Sequence, residues 1–286
     1  MGRIRISPKA KKIALLKSVP LERLQGTGPL GRIVTEDVLK AFEQNTEKKI
    51  EPEEKKNAGE KVINLTRVRK MTAQRMIQSK QNIPHFYVTL SVDMTRALEF
   101  RQQLNQQNNL TKEESISIND LIIKACGIAL KEYPEINASY LDEEHIVLHE
   151  DSNIGIAVSL ENGLVVPVVE KVDQSPILEL SRRIRQLIDA ARTGKQLSTV
   201  PGRFTVSNLG MYNIENFSAI INPPEAAILA VSTIRKLVEV DENNEIIVRD
   251  KVNLTLSIDH RVCDGVQACK FINRIKDLLE SPELLE

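Results

Sequence analysis

A histidine, an arginine and an aspartate crowd the stretch Ser257-Ile258-Asp259-His260-Arg261-Val262-Cys263-Asp264-Gly265. An imidazole can take a proton from a nucleophile near neutral pH, provided a rigid scaffold presents it. The elements that would present it are legible on either side. Leu254, Leu256 and Ile258 alternate with Asn253, Thr255 and Ser257, which predicts a strand with one buried face. Val266, Cys269, Ile272, Ile275 and Leu279 recur at three- and four-residue steps, the apolar stripe of a helix. His260 and Asp264 therefore fall in a short strand-to-helix turn, where Gly265 is expected to permit the bend. The same two residues could instead only cap the helix and satisfy buried backbone.

Composition bounds the alternatives. The 286 residues allow one large domain and a small one, and 27% charge with zero formal net charge gives no global pull toward nucleic acid or an acidic membrane. Trp is absent and aromatics are 3%, against a base-stacking surface. The scattered Cys126, Cys263 and Cys269 form neither a disulfide framework nor a metal set, and suggest reduced thiols in a cytoplasm. No apolar run is long enough to cross a membrane, and no signal-like start is seen.

Three regions follow from the patterning. Residues 1–43 read as a compact all-helical unit. Ser7-Pro8 opens a helix through Lys17, with Ala10, Ile13, Ala14 and Leu16 for a core, and Thr35-Glu36-Asp37 opens a second helix to about Phe42. The glycine-dense loop Gly26-Thr27-Gly28-Pro29-Leu30-Gly31 lies between them, and without a following Lys-Ser/Thr it is not read as a phosphate cradle. Residues 1–49 carry eleven Lys and Arg against five Asp and Glu, so an acidic protein or a nucleic acid could be the partner. Residues 44–61 have the composition of a flexible charged tether.

Residues 62–286 read as an α+β domain. Helices are predicted over 69–80 (Met71, Met76 and Ile77 inward), 95–107, 118–133 and 178–191. Strands are predicted from Ile83 to Val92, and over 154–159, 164–169, 204–207 and 226–232. An Asn-Gly hairpin turn falls at Glu161-Asn162-Gly163, and 237–240 is expected to pair with 246–248. His85, His145 and His149 show no ligand spacing and read as structural.

The motif Asp-His-Arg-Val-x-Asp-Gly resembles the signature of the dihydrolipoamide acyltransferases, the core subunits of 2-oxo acid dehydrogenase complexes. Ile83–Phe86, Asn119–Ala125, Asn153–Val158, Ser207–Met211 and Ile221–Leu229 are similar to further landmarks of that family, in its order. The pattern of residues 6–43 is similar to the family's peripheral subunit-binding domain. The resemblance implies a chloramphenicol acetyltransferase-like catalytic domain behind that small domain. It also implies acyl transfer, acetyl favoured over branched-chain acyl or succinyl, between dihydrolipoamide and coenzyme A. His260 would be the base, Ser207 the donor to the oxyanion, Asp264 the residue that orients the loop or steadies the imidazolium, and Asn208 a contact to coenzyme A.

Lys11, Lys12, Arg23 and Arg32 would carry the charge that docks dihydrolipoamide dehydrogenase, the 2-oxo acid decarboxylase, or both. Leu15, Ser18 and Pro20 stand where relatives usually have Arg, Gly and an acidic residue. The resemblance further implies a homotrimer with its site between subunits, assembled into a cubic or dodecahedral core, with Leu284-Leu285 as an apolar anchor. No metal, nucleic acid or membrane is implied. The lipoyl domain expected ahead of residue 1 would lie upstream in a longer protein or act from another chain. A non-catalytic scaffold subunit is the other reading, and the presence of His260, Asp264 and Ser207 counts against it.

Overall fold

Ser7 accepts the Ala10 N–H at 3.2 Å and so caps the first helix, α1 (Pro8–Leu16), as its sequence position demands. This computed structural model describes residues 5–16, 19, 24–48, 61–160, 163–195 and 200–286. The chain divides into two units, Met1–Ile63 and Asn64–Glu286.

In the small unit α2 (Thr35–Lys48) packs on α1, and Ala10, Ala14, Val19, Ile33 and Val38 form its core. The glycine loop is held from within. The Asp37 carboxylate is buried and accepts the Thr27 N–H at 3.0 Å, the Thr27 hydroxyl at 2.7 Å and the Val34 N–H at 3.0 Å. Those bonds hold its carboxyl below the ordinary carboxylate range. Leu30 (φ 56°) and Gly31 (φ 74°) make the left-handed corner that closes the loop. Helix α2 runs past Phe42 into the stretch expected to be a tether, and residues 49–60 lie outside the described residues.

The large unit is built on a mixed sheet. Its strands are β1 (His85–Asp93), β4 (Ile154–Ile156), β7 (Val168–Val169), β8 (Phe204–Asn208), β9 (Ala227–Val231), β10 (Arg235–Val240) and β11 (Ile246–Asp259). The order is β1-β11-β9-β8-β4-β7, with β10 paired to the first half of β11. The β9–β8 and β8–β4 pairs are parallel and the others antiparallel. Two small ribbons stand apart, β2 (Ala138–Tyr140) with β3 (Ile146–Leu148), and β5 (Val158–Leu160) with β6 (Gly163–Val165).

The predicted strand over 154–159 is thus two strands in two sheets, as is 164–169. Pro167 has no N–H to continue a ladder, and its carbonyl instead accepts the Ile156 N–H at 2.8 Å where the chain changes sheets. Helices α4 (Thr95–Gln107), α5 (Ile118–Glu132) and α7 (Gly265–Glu280) pack together, α7 also against β1, and α6 (Ile177–Arg192) packs on α5. The inward row of α7, from Ala268 through Phe271, Ile272 and Ile275 to Leu279, is fully buried. Truncating a side chain such as Phe271 to Ala would cost about 3–5 kcal/mol.

Four expectations need correction. Strand β11 is buried on both faces, not one: Thr255, Ser257 and Asp259 are as enclosed as Leu254, Leu256 and Ile258. The segment 214–224 covers that second face and is tied down by side chains, Ser257 Oγ donating to the Ala219 carbonyl and Thr255 Oγ1 to Asn216 Oδ1. Polar residues on that face therefore find hydrogen-bond partners in the irregular segment that covers them. In α3 (Arg67–Asn82) Met71 and Ile77 are exposed, and Ser79 is the buried residue, its hydroxyl donating to the Ile221 carbonyl at 2.6 Å. Leu285 is buried in its own unit's core, leaving Leu284 exposed. Gly265 has ordinary helical backbone, and a Cβ there would meet only the Phe86 ring at 3.4 Å, so the turn does not need a glycine.

Candidate active site

His260 follows the last residue of β11 directly and is anchored by its backbone, whose N–H donates to the Pro84 carbonyl at 3.1 Å. Its imidazole is exposed and stands edge-on to the Phe86 ring, centroids 5.1 Å apart. Its neighbours on both sides are locked. Asp259 is buried, and its carboxylate accepts Arg261 Nε at 2.9 Å on Oδ1 and Arg261 Nη2 at 2.7 Å on Oδ2. The Arg261 guanidinium also lies 3.8 Å over the Tyr140 ring, and its bond to Asp259 raises its pKa further. The Asp259 carbonyl takes the N–H groups of Val262 and Cys263, closing the turn. Arg261 therefore has a structural role, with the buried Asp259 as its partner. The alternation along β11, which puts Asp259 on the polar face, was the available signal.

Asp264 is the N-cap of α7. It accepts the Val266 N–H at 2.8 Å and the Gln267 N–H at 3.0 Å, while Gln267 Oε1 takes the Asp264 N–H at 3.1 Å. This capping box fixes where the loop ends and the helix begins. Asp264 thus fixes the loop at the helix start, while Arg261 pairs with Asp259. Cys263, next to this turn, is buried and its thiol is pushed up to about 12 by burial and by Asp264, so it is no nucleophile near neutral pH. Cys126 is fully buried, and Cys269 is exposed on α7.

Ser207 lies near the far end of β8, half-buried, and its hydroxyl makes no hydrogen bond to another described residue. It stands in the wall between two cavities of about 630 and 720 Å³, both of which also touch Ala157 and Leu164. A group at Ser207 can be reached from both. Asn208 lines the first cavity, its Nδ2 donating to Asn119 Oδ1 at 3.0 Å and its Oδ1 accepting the Gly210 N–H at 2.8 Å. It shapes the first cavity by holding the following turn.

His260 and Ser207 are not brought together within the chain. Ser207 is in register with Ala230 on β9, and Ala230 with Thr255 on β11. His260 lies five residues beyond Thr255, so at strand and inter-strand spacings the two Cα positions are roughly 20 Å apart.

The other histidines are structural, as expected. His85 accepts the Ile221 N–H on Nε2 and contacts the Ile83 carbonyl through Nδ1, His149 meets Ser139, and His145 pairs with Asp142 at the surface. Among the described residues no three His, Cys, Asp or Glu side chains come together as a metal site, and no helix is long and apolar enough to cross a membrane. On the small unit Lys11, Lys12 and Arg32 are exposed, and none of them forms a salt bridge with a described residue. Arg23, with Ser18 and Pro20, lies outside the described residues, as does the Leu15 side chain.

Comparison with known proteins agrees with this layout. Residues 57–286 match the model of the 2-oxoacid dehydrogenases acyltransferase catalytic domain, and residues 4–39 match the e3 binding domain. A dihydrolipoyllysine-residue acetyltransferase component of the pyruvate dehydrogenase complex from Rickettsia felis is 39% identical across 99% of this chain and 68% of its own length. A probable dihydrolipoamide acetyltransferase structure from Listeria monocytogenes is 38% identical over 78% of this chain and 96% of its own, with a TM-score of 0.72. A structure of Azotobacter vinelandii dihydrolipoamide acetyltransferase, studied for the catalytic roles of a serine, a histidine and an asparagine, is 31% identical over 82% of this chain and 98% of its own, with a TM-score of 0.75. The chain belongs to the 2-oxoacid dehydrogenase acyltransferase family, an e3 binding domain preceding its catalytic domain.

Proposed function

We propose that the chain moves an acetyl group between dihydrolipoamide and coenzyme A, as the core acyltransferase of a pyruvate dehydrogenase-type complex. The observation that carries this reading is the pairing of an exposed His260 on a clamped turn with a free Ser207 hydroxyl between two cavities. The spacing of the Azotobacter residues supports it: there the serine precedes the histidine by 52 residues and the asparagine follows it by four, against 53 residues and four from Ser207 through His260 to Asp264 here.

The chemistry runs on a thiol. One cavity admits the acyl thioester and the other the attacking thiol, and the two meet at Ser207. His260 removes the thiol proton as sulfur attacks the thioester carbonyl, since a thiol near pKa 8.5 is mostly protonated at neutral pH. The carbonyl oxygen becomes an oxyanion, and the Ser207 hydroxyl donates to it; a donor of this kind is typically worth about 3 kcal/mol. Collapse expels the second sulfur, which takes the proton back from the imidazolium. Transfer is direct, with no acyl-enzyme, as the family resemblance implies.

The roughly 20 Å between His260 and Ser207 supports a site shared by two copies of the chain, His260 from one and Ser207 from the next, in the closed trimer and larger core that the family resemblance implies. Asp264 holds the α7 end of the turn. The small unit offers Lys11, Lys12 and Arg32 to an acidic face of dihydrolipoamide dehydrogenase or of the 2-oxo acid decarboxylase, and Arg23 belongs to the same proposed set. The lipoyl arm comes from a domain outside these residues. Transfer from acetyl-, isobutyryl- and succinyl-CoA to free dihydrolipoamide, with His260→Ala alongside, tests the assignment. Acetyl transfer at least a hundredfold lower in the variant is expected; equal turnover by His260→Ala would falsify it.

A further inference from the structure

Glu225 is an unusual residue to find where it is. It is 3% exposed and lines the same 720 Å³ cavity as Ser207. Two side chains donate to it, Thr205 Oγ1 at 2.6 Å onto Oε2 and Asn222 Nδ2 at 2.9 Å onto Oε1. Its charged neighbours, Arg203 beside β8 and Arg75 on α3, act on it only through space. Room has been cleared for this contact. A Cβ at Gly155, the register partner of Thr205, would fall 2.9 Å from Thr205 Oγ1, and one at Gly202 would fall 3.1 Å from Glu225 Oε1. Thr205 and Ser207 are two residues apart on β8 and share a face.

We propose that Glu225 is a positioning residue for Ser207: by gripping Thr205, it fixes the strand face that presents the Ser207 hydroxyl to the oxyanion. The inference rests on the reading of Ser207 as the oxyanion donor. Burial pushes the Glu225 carboxyl up to about 7, so it is mostly neutral at pH 6 and mostly ionised at pH 8.5. Once ionised, the carboxylate lines the same cavity as the developing oxyanion, bonded to the residue two positions before Ser207. Like charges so placed raise the barrier, and Arg203 and Arg75 offset this only in part. Glu225 acts through Thr205 and through its charge.

The test compares wild-type, Glu225→Gln, Glu225→Ala, Thr205→Val and His260→Ala assemblies, with kcat and both KM values measured from pH 6 to 8.5. The ratio of kcat for Glu225→Gln to wild-type cancels every titration the two proteins share. It is expected to climb roughly tenfold across that range, as only the wild-type acquires the charge. Glu225→Ala is expected to lose about tenfold in kcat at pH 6 with both KM values within twofold, and Glu225→Gln to restore most of that loss. Thr205→Val reads the same kcat loss should Glu225→Ala fail to assemble. A flat ratio, together with a dead His260→Ala, overturns the role of Glu225 and leaves the active site standing. A flat ratio with an active His260→Ala overturns both.

Discussion

Arg261 grips the buried Asp259 carboxylate through hydrogen bonds of 2.9, 3.3 and 2.7 Å, and the residue between them is His260. The pair holds both backbone neighbours of the imidazole still while the ring remains open to a substrate. The two partners are not equivalent. Asp259 has a side chain 2% exposed and Arg261 one that is 30% exposed, so losing the arginine strands a buried charge, whereas losing the carboxylate leaves a cation that water can reach. Arg261→Met is expected to destabilise the domain by about 2 kcal/mol and Asp259→Asn by about 1 kcal/mol, with Arg261→Met lowering kcat by about tenfold as the loop loosens. Denaturant titration with parallel kinetics checks the order; a larger cost for Asp259→Asn would contradict it.

Asp264 caps a helix, and its loss should look like the loss of a cap. Asp264→Ala is expected to cost about 1 kcal/mol, a fall of about 2–4 °C in Tm for a domain of this size. Its kcat should drop less than tenfold, and Asp264→Ser should recover most of the stability. Scanning calorimetry beside steady-state kinetics decides between this and a direct role, which would show as a hundredfold loss in kcat at unchanged Tm.

The small unit should be acid-sensitive through Asp37. Its folded-state carboxyl titrates below the ordinary value of 3.8 because Thr27 and Val34 donate to the ionised form. The stabilisation is therefore complete above that ordinary value and is lost as pH falls through the lower folded value. Amide exchange at Thr27 and Val34 is expected to be slow at pH 7. It should speed up in Asp37→Asn at pH 7, and the wild-type advantage over that variant should shrink below about pH 4. Equal protection in the two proteins at pH 7 would remove Asp37 as the organiser of the loop.

Charge reversal should reach the partner and not the chemistry. With Lys11, Lys12 and Arg32 all exposed, the triple change to Glu is expected to weaken binding of dihydrolipoamide dehydrogenase by about a hundredfold and to flatten its salt dependence. Acyl transfer to free dihydrolipoamide should be untouched. Titration calorimetry at two ionic strengths reads both effects, and unchanged affinity would move the docking face elsewhere.

Much of this was legible in the sequence because its periods are strong. The alternation into Ile258 places the second half of β11 and the turn within a residue or two of where they stand, and the helical period places α7, although Val266 and Cys269 of that stripe are exposed. Pairings between distant residues were not legible. Nothing local to Glu225 says that it will meet Thr205, or that segment 214–224 will roof β11 with bonds to Thr255 and Ser257. Met71 and Ile77 on α3 misled for the opposite reason: apolar residues at helical spacing look like a core stripe, yet here the single chain leaves them exposed. Gly265 looked conformational because it follows a turn, whereas the capping box of Asp264 and Gln267 does that work with ordinary backbone angles.

The most direct measurement is complementation between two inactive variants. His260→Ala and Ser207→Ala are co-expressed in equal amounts, the mixed assemblies are purified, and acetyl transfer to dihydrolipoamide is followed. A site built from His260 of one chain and Ser207 of the next is intact wherever the two variants adjoin in the right order, so about a quarter of wild-type activity is expected from random trimers. Activity no higher than that of the two variants assembled separately would show that each chain must supply both residues, and would contradict the shared site.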